Sequence, residues 1–135
     1  MSELQYYAMR TDRVTEAIKR LIGATDQFIA PVLDRHGETF FAEVTDVADV
    51  AERWRNSLLS PVAQLYPPKE TLFAFRLDEQ GTPELDYKLD ERKRIIYGIR
   101  PCDTKAVAYL DRFLMGGEFE DSQYAARRRN TKLIT

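Results

Sequence analysis

Residues 95–103, with the sequence IIYGIRPCD, constrain the fold of this chain more than any other stretch. A short apolar run ends at Gly98, an Arg-Pro-Cys-Asp turn follows, and an amphipathic helical pattern then begins. This order places the turn where a strand stops and a helix starts, which in open α/β sheets is the edge at which ligands gather. The only cysteine of the chain, Cys102, lies in this turn. We therefore expect a redox-capable side chain at the carboxyl edge of a sheet.

A helix is predicted near the start of the chain. Apolar side chains recur every three or four positions over residues 12–23, which is typical of one face of an amphipathic helix. Thr11 or Asp12 is of the right type to cap the start of this helix. Gly23 stands where a glycine commonly caps the end.

A β-hairpin is predicted next. Two apolar, β-rich runs, residues 28–33 and 39–44, are separated by a five-residue loop that contains a glycine. A loop of this length between two such runs is typical of a hairpin. A short helix over residues 47–54 is expected to follow, capped by Thr45 or Asp46.

The middle of the chain is predicted to be irregular. Three prolines fall within residues 60–69, and each lacks an amide donor and restricts the residue before it. A strand is expected over residues 71–75 because this run is apolar and rich in aromatic side chains. Residues 78–83 are rich in turn-forming types and predict a break.

The last third predicts a strand, two helices and a second strand, over residues 95–99, 104–115, 122–129 and 132–135. A crossover of this length can bring the final strand parallel to the first. The fold class that follows is α/β, with α+β as the alternative, built on a mixed sheet with flanking helices. The inner face of the first of these helices is expected to hold five apolar residues: Ala106, Val107, Leu110, Phe113 and Leu114.

Composition limits the class of protein. The 135 residues predict a single domain over residues 1–135, and the net charge of −2 disfavours binding to nucleic acid or to anionic membranes. No apolar run approaches the length of a membrane span. Residues 1–7 have neither a basic region nor an apolar core, so no export signal is expected. One cysteine cannot form an internal disulfide, which is consistent with a reducing cytoplasm.

The Arg-Pro-Cys-Asp turn is the candidate site. Asp103 is of the right type to cap the following helix, which puts Cys102 near the positive end of the helix dipole and close to Arg100. Both effects favour the thiolate, the form that ligates metals or attacks electrophiles. Pro101 stiffens the turn. The cofactor-binding candidates are therefore Arg100, Pro101, Cys102 and Asp103, and no residue is predicted to be catalytic.

Other interpretations of these residues stay open. Cys102 is alternatively a small buried hydrophobe, or the thiol of a redox sensor or thiol-dependent enzyme. The only histidine, His36, falls in the predicted hairpin loop, and nothing in the sequence brings it to the thiol. The basic run at residues 127–129 is expected to be a solvated helix end that suits the dipole, with a phosphate or carboxylate site as the alternative.

Several segments together resemble a known family. The chain is similar to the N-terminal domain of the iron–sulfur proteins that include the β chain of cytoplasmic sulfhydrogenases and the corresponding iron–sulfur component of anaerobic sulfite reductase. The likeness is specific over residues 60–135 and loose before them. It is carried in order by residues 68–73 (PKETLF), 97–103 (YGIRPCD) and 110–113 (LDRF), by Asp121, Tyr124, Arg127 and Arg128, and by Asn130 and Thr131.

The resemblance implies electron transfer within an anaerobic oxidoreductase complex of the hydrogenase or sulfite reductase type. The implied partners are a flavoprotein and a hydrogenase or reductase subunit. It also implies that this chain is the first domain of a longer protein whose remainder carries two [4Fe–4S] clusters. Because such a cluster takes four thiolates, the domain alone is expected to bind none. Cys102 is then a metal ligand only together with ligands from outside this chain.

A domain without its remainder should expose apolar surface. We expect such surface at the sheet edge beside residues 132–135 or on the face near Cys102. Uncovered edges and patches recruit partners, so a homodimer of this domain is a further expectation. By itself the domain is expected to be a non-catalytic scaffold, and the alternative is a protein-binding module with no redox role.

Overall fold

A mixed sheet with helices on both faces organises the chain. The computed structural model describes residues 9–135, so the expectation about an export signal in residues 1–7 lies outside the described residues. Within this range, no helix is long and apolar enough to cross a bilayer. The helices and strands are α1 (Val14–Gly23), β1 (Gln27–Leu33), β2 (Thr39–Glu43), β3 (Phe73–Leu77), β4 (Pro83–Tyr87), β5 (Arg94–Tyr97), α2 (Pro101–Leu114), α3 (Ser122–Arg129) and β6 (Thr131–Ile134).

Four strands form the main sheet in the order β2–β1–β5–β6. The pair β1–β2 is antiparallel and is the predicted hairpin. Strand β5 pairs in parallel with β1 on one side and with β6 on the other. The predicted crossover is therefore confirmed, with α2 and α3 carrying the chain from β5 to β6. The α/β class with a mixed sheet is confirmed as well.

Neighbouring residues of the central strands point to opposite faces of the sheet and build two cores. Each fully buried aliphatic or aromatic side chain stabilises the fold by about 1.5–3 kcal/mol. The core on the α1 side contains Ile18, Phe28, Ala30, Val44 and Ile95. The core on the α2 and α3 side contains Ile29, Leu65, Ile96, Ile99, Val107 and Tyr124.

The caps predicted for the first helix are wrong. A 3-10 turn over Thr11–Arg13 precedes α1, and the residue before the helix, Arg13, makes no side-chain cap. The amide of Arg13 donates instead to the carbonyl of Arg10. Gly23 is the last helical residue and Ala24 is the C-cap, whose amide donates to the carbonyl of Leu21. The turn before the helix therefore takes the place of a capping side chain.

The helix predicted over residues 47–54 is also wrong, although its cap is present. The carboxylate of Asp46 accepts from the amide of Ala48, but only a 3-10 turn over Val47–Asp49 follows. The amide of Ala51 donates to the carbonyl of Pro31 in β1 at 2.8 Å. This bond to the sheet takes a donor that a continuing helix would need, so the helix stops after one turn.

The strand predicted over residues 71–75 is present as β3, shifted by two residues, and it pairs with β4 in a second hairpin. Asp78 accepts from the amides of Gln80 and Thr82 and closes the turn, so the predicted break is the loop between two paired strands. The sequence does carry a signal for the second strand, which the prediction missed: apolar and charged residues alternate over residues 83–87, the period of a strand. Every residue of both strands is exposed, including the apolar side chains of one face: Phe73, Phe75, Leu77, Leu85 and Tyr87.

The basic run at the end of α3 is a solvated helix end only at Arg129, which is exposed and pairs with Glu120. Arg127 is buried, and its guanidinium donates to the carbonyl of Leu65 and to the carboxylate of Glu70. Arg128 donates to both oxygens of Asp111, each at 3.0 Å. These contacts join α3 to α2 and to the segment before β3. The carboxylates come from residues far away in sequence, which is why helix periodicity alone does not indicate them.

Asp90 makes folding stability depend on pH. The hydrogen bond from Arg92 holds the pKa of this carboxyl far below its usual value, partial burial opposes this, and Arg94 lowers it further. A carboxyl with a depressed folded pKa stabilises the fold above its unfolded pKa of about 4, and this contribution is lost as the pH falls further. We therefore expect Asp90→Asn to lower the free energy of unfolding at pH 7 and to flatten its dependence on pH between about pH 5 and 2. Urea unfolding across this range measures both effects.

The matched control for this prediction is Asp12→Asn. Asp12 pairs with Arg10 in an exposed ion pair, which contributes little to stability. If the free energies of unfolding of the Asp90→Asn and Asp12→Asn proteins depended on pH in the same way, Asp90 would not be the source of the acid dependence.

Candidate functional site

The turn between β5 and α2 lies at the carboxyl edge of the three parallel strands. Gly98 follows β5 with φ of +74°, in the left-handed region that suits glycine. It also packs closely, since a Cβ built there would lie 2.8 Å from the ring of Trp54 and 3.2 Å from Pro31. The amide of Ile99 donates to the carbonyl of Ile134, which ties the turn to β6. These contacts hold the turn in one conformation.

The N-cap predicted for α2 is wrong, because the helix begins three residues earlier than expected. Arg100 is the N-cap with extended backbone and Pro101 is the first helical residue, a position for which proline is preorganised. Cys102 and Asp103 are the next two residues of the first turn. Asp103 does not cap the helix; its carboxylate accepts from the hydroxyl of Ser60 at 2.6 Å. The sequence signal for the start of α2 is Pro101, and it is a stronger signal than the acidic residue Asp103.

Cys102 is exposed, so the interpretation as a small buried hydrophobe is wrong. Its sulfur lies 3.8 Å from the carboxylate of Asp103. Among the residues that the structure describes, no three His, Cys, Asp or Glu side chains come together to hold a metal ion. His36 lies exposed in the loop of the first hairpin, where its Nε2 accepts from Arg35. A metal at Cys102 would therefore need ligands from another segment or chain.

A groove of about 700 Å³ opens beside this turn. Of the four predicted site residues, Arg100 and Pro101 line this groove, and Cys102 and Asp103 do not. The wall opposite the turn is formed by Arg53 and Trp54, with Glu52. The sequence does not predict these three residues as part of the site. The sequence feature that could have indicated this wall of the groove is the single tryptophan, Trp54. The helical pattern instead places it in the predicted helix over residues 47–54, which does not form.

An exposed apolar stripe runs along α2 and begins at the thiol. Its members are separated by four, three and four positions, so they lie on one face of the helix: Cys102, Ala106, Tyr109 and Phe113. Tyr109 is 70% exposed and Phe113 is 73% exposed. Lys105 and Arg112 are exposed along one side of the stripe. This surface is the most apolar part of the helix that solvent reaches.

The stripe corrects the inner face predicted for this helix. Ala106 and Phe113 are exposed, whereas Val107, Leu110 and Leu114 pack against the core. Phe113 lies roughly a quarter of a turn from the centre of the packed face. The face of α2 that packs on the sheet is narrower than the predicted inner face, which therefore included two residues that are exposed. Two aromatic side chains on the outside of a helix are typical of a surface that binds another protein.

The described residues of this site contain a thiol, an apolar stripe and a groove, and the group beside the thiol is the carboxylate of Asp103 rather than a histidine. Comparisons of the chain with protein-family models, with curated proteins and with solved structures find no match. The function proposed below therefore rests on the residues of the chain and on the resemblance described above.

Proposed function

We propose that this chain is a docking and scaffold domain of an iron–sulfur electron-transfer complex of the hydrogenase or sulfite reductase type. The observation that carries the proposal is the exposed apolar stripe of α2 that begins at Cys102. A partner that covers this stripe comes into direct contact with the thiol. The domain supplies a rigid surface and one sulfur, and the redox centres belong to the rest of the complex.

The docking part of the proposal follows from burial energetics. Aromatic side chains are enriched at the centres of protein interfaces, where excluding water from them contributes most to affinity. Tyr109 and Phe113 lie one helical turn apart and present one continuous surface. Lys105 and Arg112 border this surface, so the partner is expected to carry carboxylates at the matching rim.

The iron–sulfur part of the proposal combines the resemblance with the position of the sulfur. Cys102 is exposed in the first turn of α2, so its sulfur is accessible to groups outside this chain. Cys102 contributes one ligand, or lies beside a [4Fe–4S] cluster, and the missing thiolates come from outside this chain. Arg100 and Pro101 then face the partner from the neighbouring groove, and Asp103 anchors the turn through Ser60. The expected partners are a flavoprotein and a reductase or hydrogenase subunit in the cytoplasm.

The docking prediction is tested by placing a charge in the stripe. In the complex purified from its natural source, Phe113→Asp is expected to reduce the amount of co-purifying subunits at least about tenfold, because burying an unpaired carboxylate opposes association. The matched control is Phe75→Asp, which charges a phenylalanine of similar exposure, 67%, on the β3–β4 hairpin. Retention of all subunits by the Phe113→Asp protein would contradict docking at α2.

The role of the thiol needs a separate measurement. Iron and acid-labile sulfide are measured in the same complex with wild-type protein and with Cys102→Ser, together with its electron paramagnetic resonance spectrum. We expect the variant to change the spectrum or to lose iron while the subunits stay associated. An unchanged iron content and spectrum would remove Cys102 as a ligand. Rapid alkylation of Cys102 in a complex that contains no iron would favour the thiol redox sensor instead.

A further inference from the structure

Two buried arginines border one cavity at the edge of the sheet opposite the β5–α2 turn. Arg94 begins β5 and pairs with Gln27, the first residue of β1, so the cavity lies at the amino ends of these parallel strands. Arg127 reaches the same cavity from α3. The side chains of Arg94 and Arg127 are only 2% and 6% exposed. Nothing in the function proposed above uses either residue.

Each of these guanidinium groups has one nitrogen without a hydrogen-bond partner. In Arg94 it is Nη1, although Nη2 donates to Asp90 and Nε to Gln27. In Arg127 it is Nη2, although its other nitrogens bind Leu65 and Glu70. A buried charged donor without a partner is unfavourable, and in native proteins it commonly marks the place of a water or an ion. Both arginines line the same cavity.

The charged groups that line the cavity have a positive excess, and one of the cations, Lys88, is also paired with Asp86 outside the lining. The volume of the cavity is about 410 Å³, and its charged lining comprises four cations and two carboxylates: Lys88, Arg92, Arg94, Arg127, Glu70 and Asp90. Asp90 is shared, because it accepts from both Arg92 and Arg94. The single negative charge of Asp90 therefore neutralises only one of the two positive charges of these arginines. The remaining charge attracts an anion, and the arginine fork matches planar or tetrahedral oxyanions.

We propose that this cavity binds a small oxyanion, a phosphate or a carboxylate, between Arg94 and Arg127. The two unpartnered nitrogens donate to its oxygens, and Arg92 contacts it from the rim. Solvent does not reach the two nitrogens directly, so the anion meets them through a shift of the cavity wall. The side chain of Arg92 is 54% exposed and is the part of that wall that can turn without unfolding the sheet.

The test is a titration followed by two-dimensional ¹H–¹⁵N NMR, with inorganic phosphate and with malonate in separate arms at constant ionic strength. We expect saturable shifts of the backbone amides and arginine Nε groups of Arg94 and Arg127. Whichever anion binds more tightly identifies the chemical class of the natural ligand. Chloride at the same ionic strength is expected to leave these signals in place.

Two variants make the result specific. Arg92→Gln removes an exposed cation of the rim and is expected to weaken binding roughly tenfold, the loss of one charge-assisted contact. Arg129→Gln is the matched control, since this exposed arginine on α3 pairs with Glu120 and does not line the cavity. Dissociation constants above about 10 mM for both anions, or equal affinities of the Arg92→Gln and Arg129→Gln proteins, would overturn the proposal.

Discussion

Gly98→Ala is expected to destabilise the protein by about 2–4 kcal/mol. An alanine held at φ of +74° is strained by about 1–2 kcal/mol, because its Cβ crowds the backbone in the left-handed region. The new Cβ also meets the ring of Trp54 at 2.8 Å and the side chain of Pro31 at 3.2 Å, so one of them has to move. Urea unfolding followed by circular dichroism measures the loss of stability, and the fluorescence of Trp54, the only tryptophan, reports the local shift.

Gly37 provides the matched control for this substitution. It has φ of +80°, and a Cβ added there meets nothing within 4 Å. Gly37→Ala is therefore expected to show the backbone strain alone, about 1–2 kcal/mol, with unchanged tryptophan fluorescence. The difference between the two variants isolates the close approach of the turn to Trp54. Equal losses of stability would show that this approach is not a constraint on the β5–α2 turn.

Tyr124→Ala is expected to have the largest effect, a loss of about 3–5 kcal/mol from the free energy of unfolding. Tyr124 is fully buried in the core between the sheet and α2, and its hydroxyl donates to Asp111 at 2.7 Å. Removal of the ring leaves a cavity beneath two helices, and Asp111 loses one of its donors. Such a loss is a large share of the roughly 5–15 kcal/mol that stabilises a typical domain. Thermal and urea unfolding measure it.

Two further tyrosine variants separate packing from hydrogen bonding. Tyr124→Phe keeps the ring and removes only the donor to Asp111, so about 1–2 kcal/mol is expected to be lost. Tyr109→Ala removes a tyrosine that is exposed on α2 and is expected to change stability by less than about 0.5 kcal/mol. If Tyr109→Ala destabilised the fold as much as Tyr124→Ala, the assignment of inner and outer faces of α2 would be wrong.

The hydroxyl of Tyr124 adds a dependence on alkaline pH. Burial, with the hydrogen bond to Asp111 adding to it, raises the pKa of this phenol well above its usual value of about 10. The folded protein therefore keeps the proton at pH values where the unfolded chain loses it. This contribution to stability is complete below about pH 10 and falls as the pH rises further. The decline is expected to be absent in the Tyr124→Phe protein.

Local sequence determined the elements whose signals are themselves local. The helix predicted over residues 122–129 has the observed bounds, and Asp121 caps it by accepting from Tyr124, as its type suggests. The first hairpin and the parallel crossover follow from spacing and loop length. The order strand, glycine, proline, cysteine also predicts a thiol near the start of a helix, but the exposure of the thiol and the helix start at Pro101 were not predicted. The bounds and the cap of α3 depend on contacts within a few residues.

Tertiary structure decided the features that need a distant partner. The helix expected over residues 47–54 stops because the amide of Ala51 donates to Pro31 in the sheet. No pattern in the neighbouring sequence indicates this hydrogen bond. Arg127 is buried because Glu70, far away in sequence, accepts from it. Phe113 lies outside because the sheet covers only a narrow face of α2. Periodicity indicates which residues share one face of a helix or strand. Whether that face is buried depends on the residues that pack against it, and only the folded chain brings those residues together.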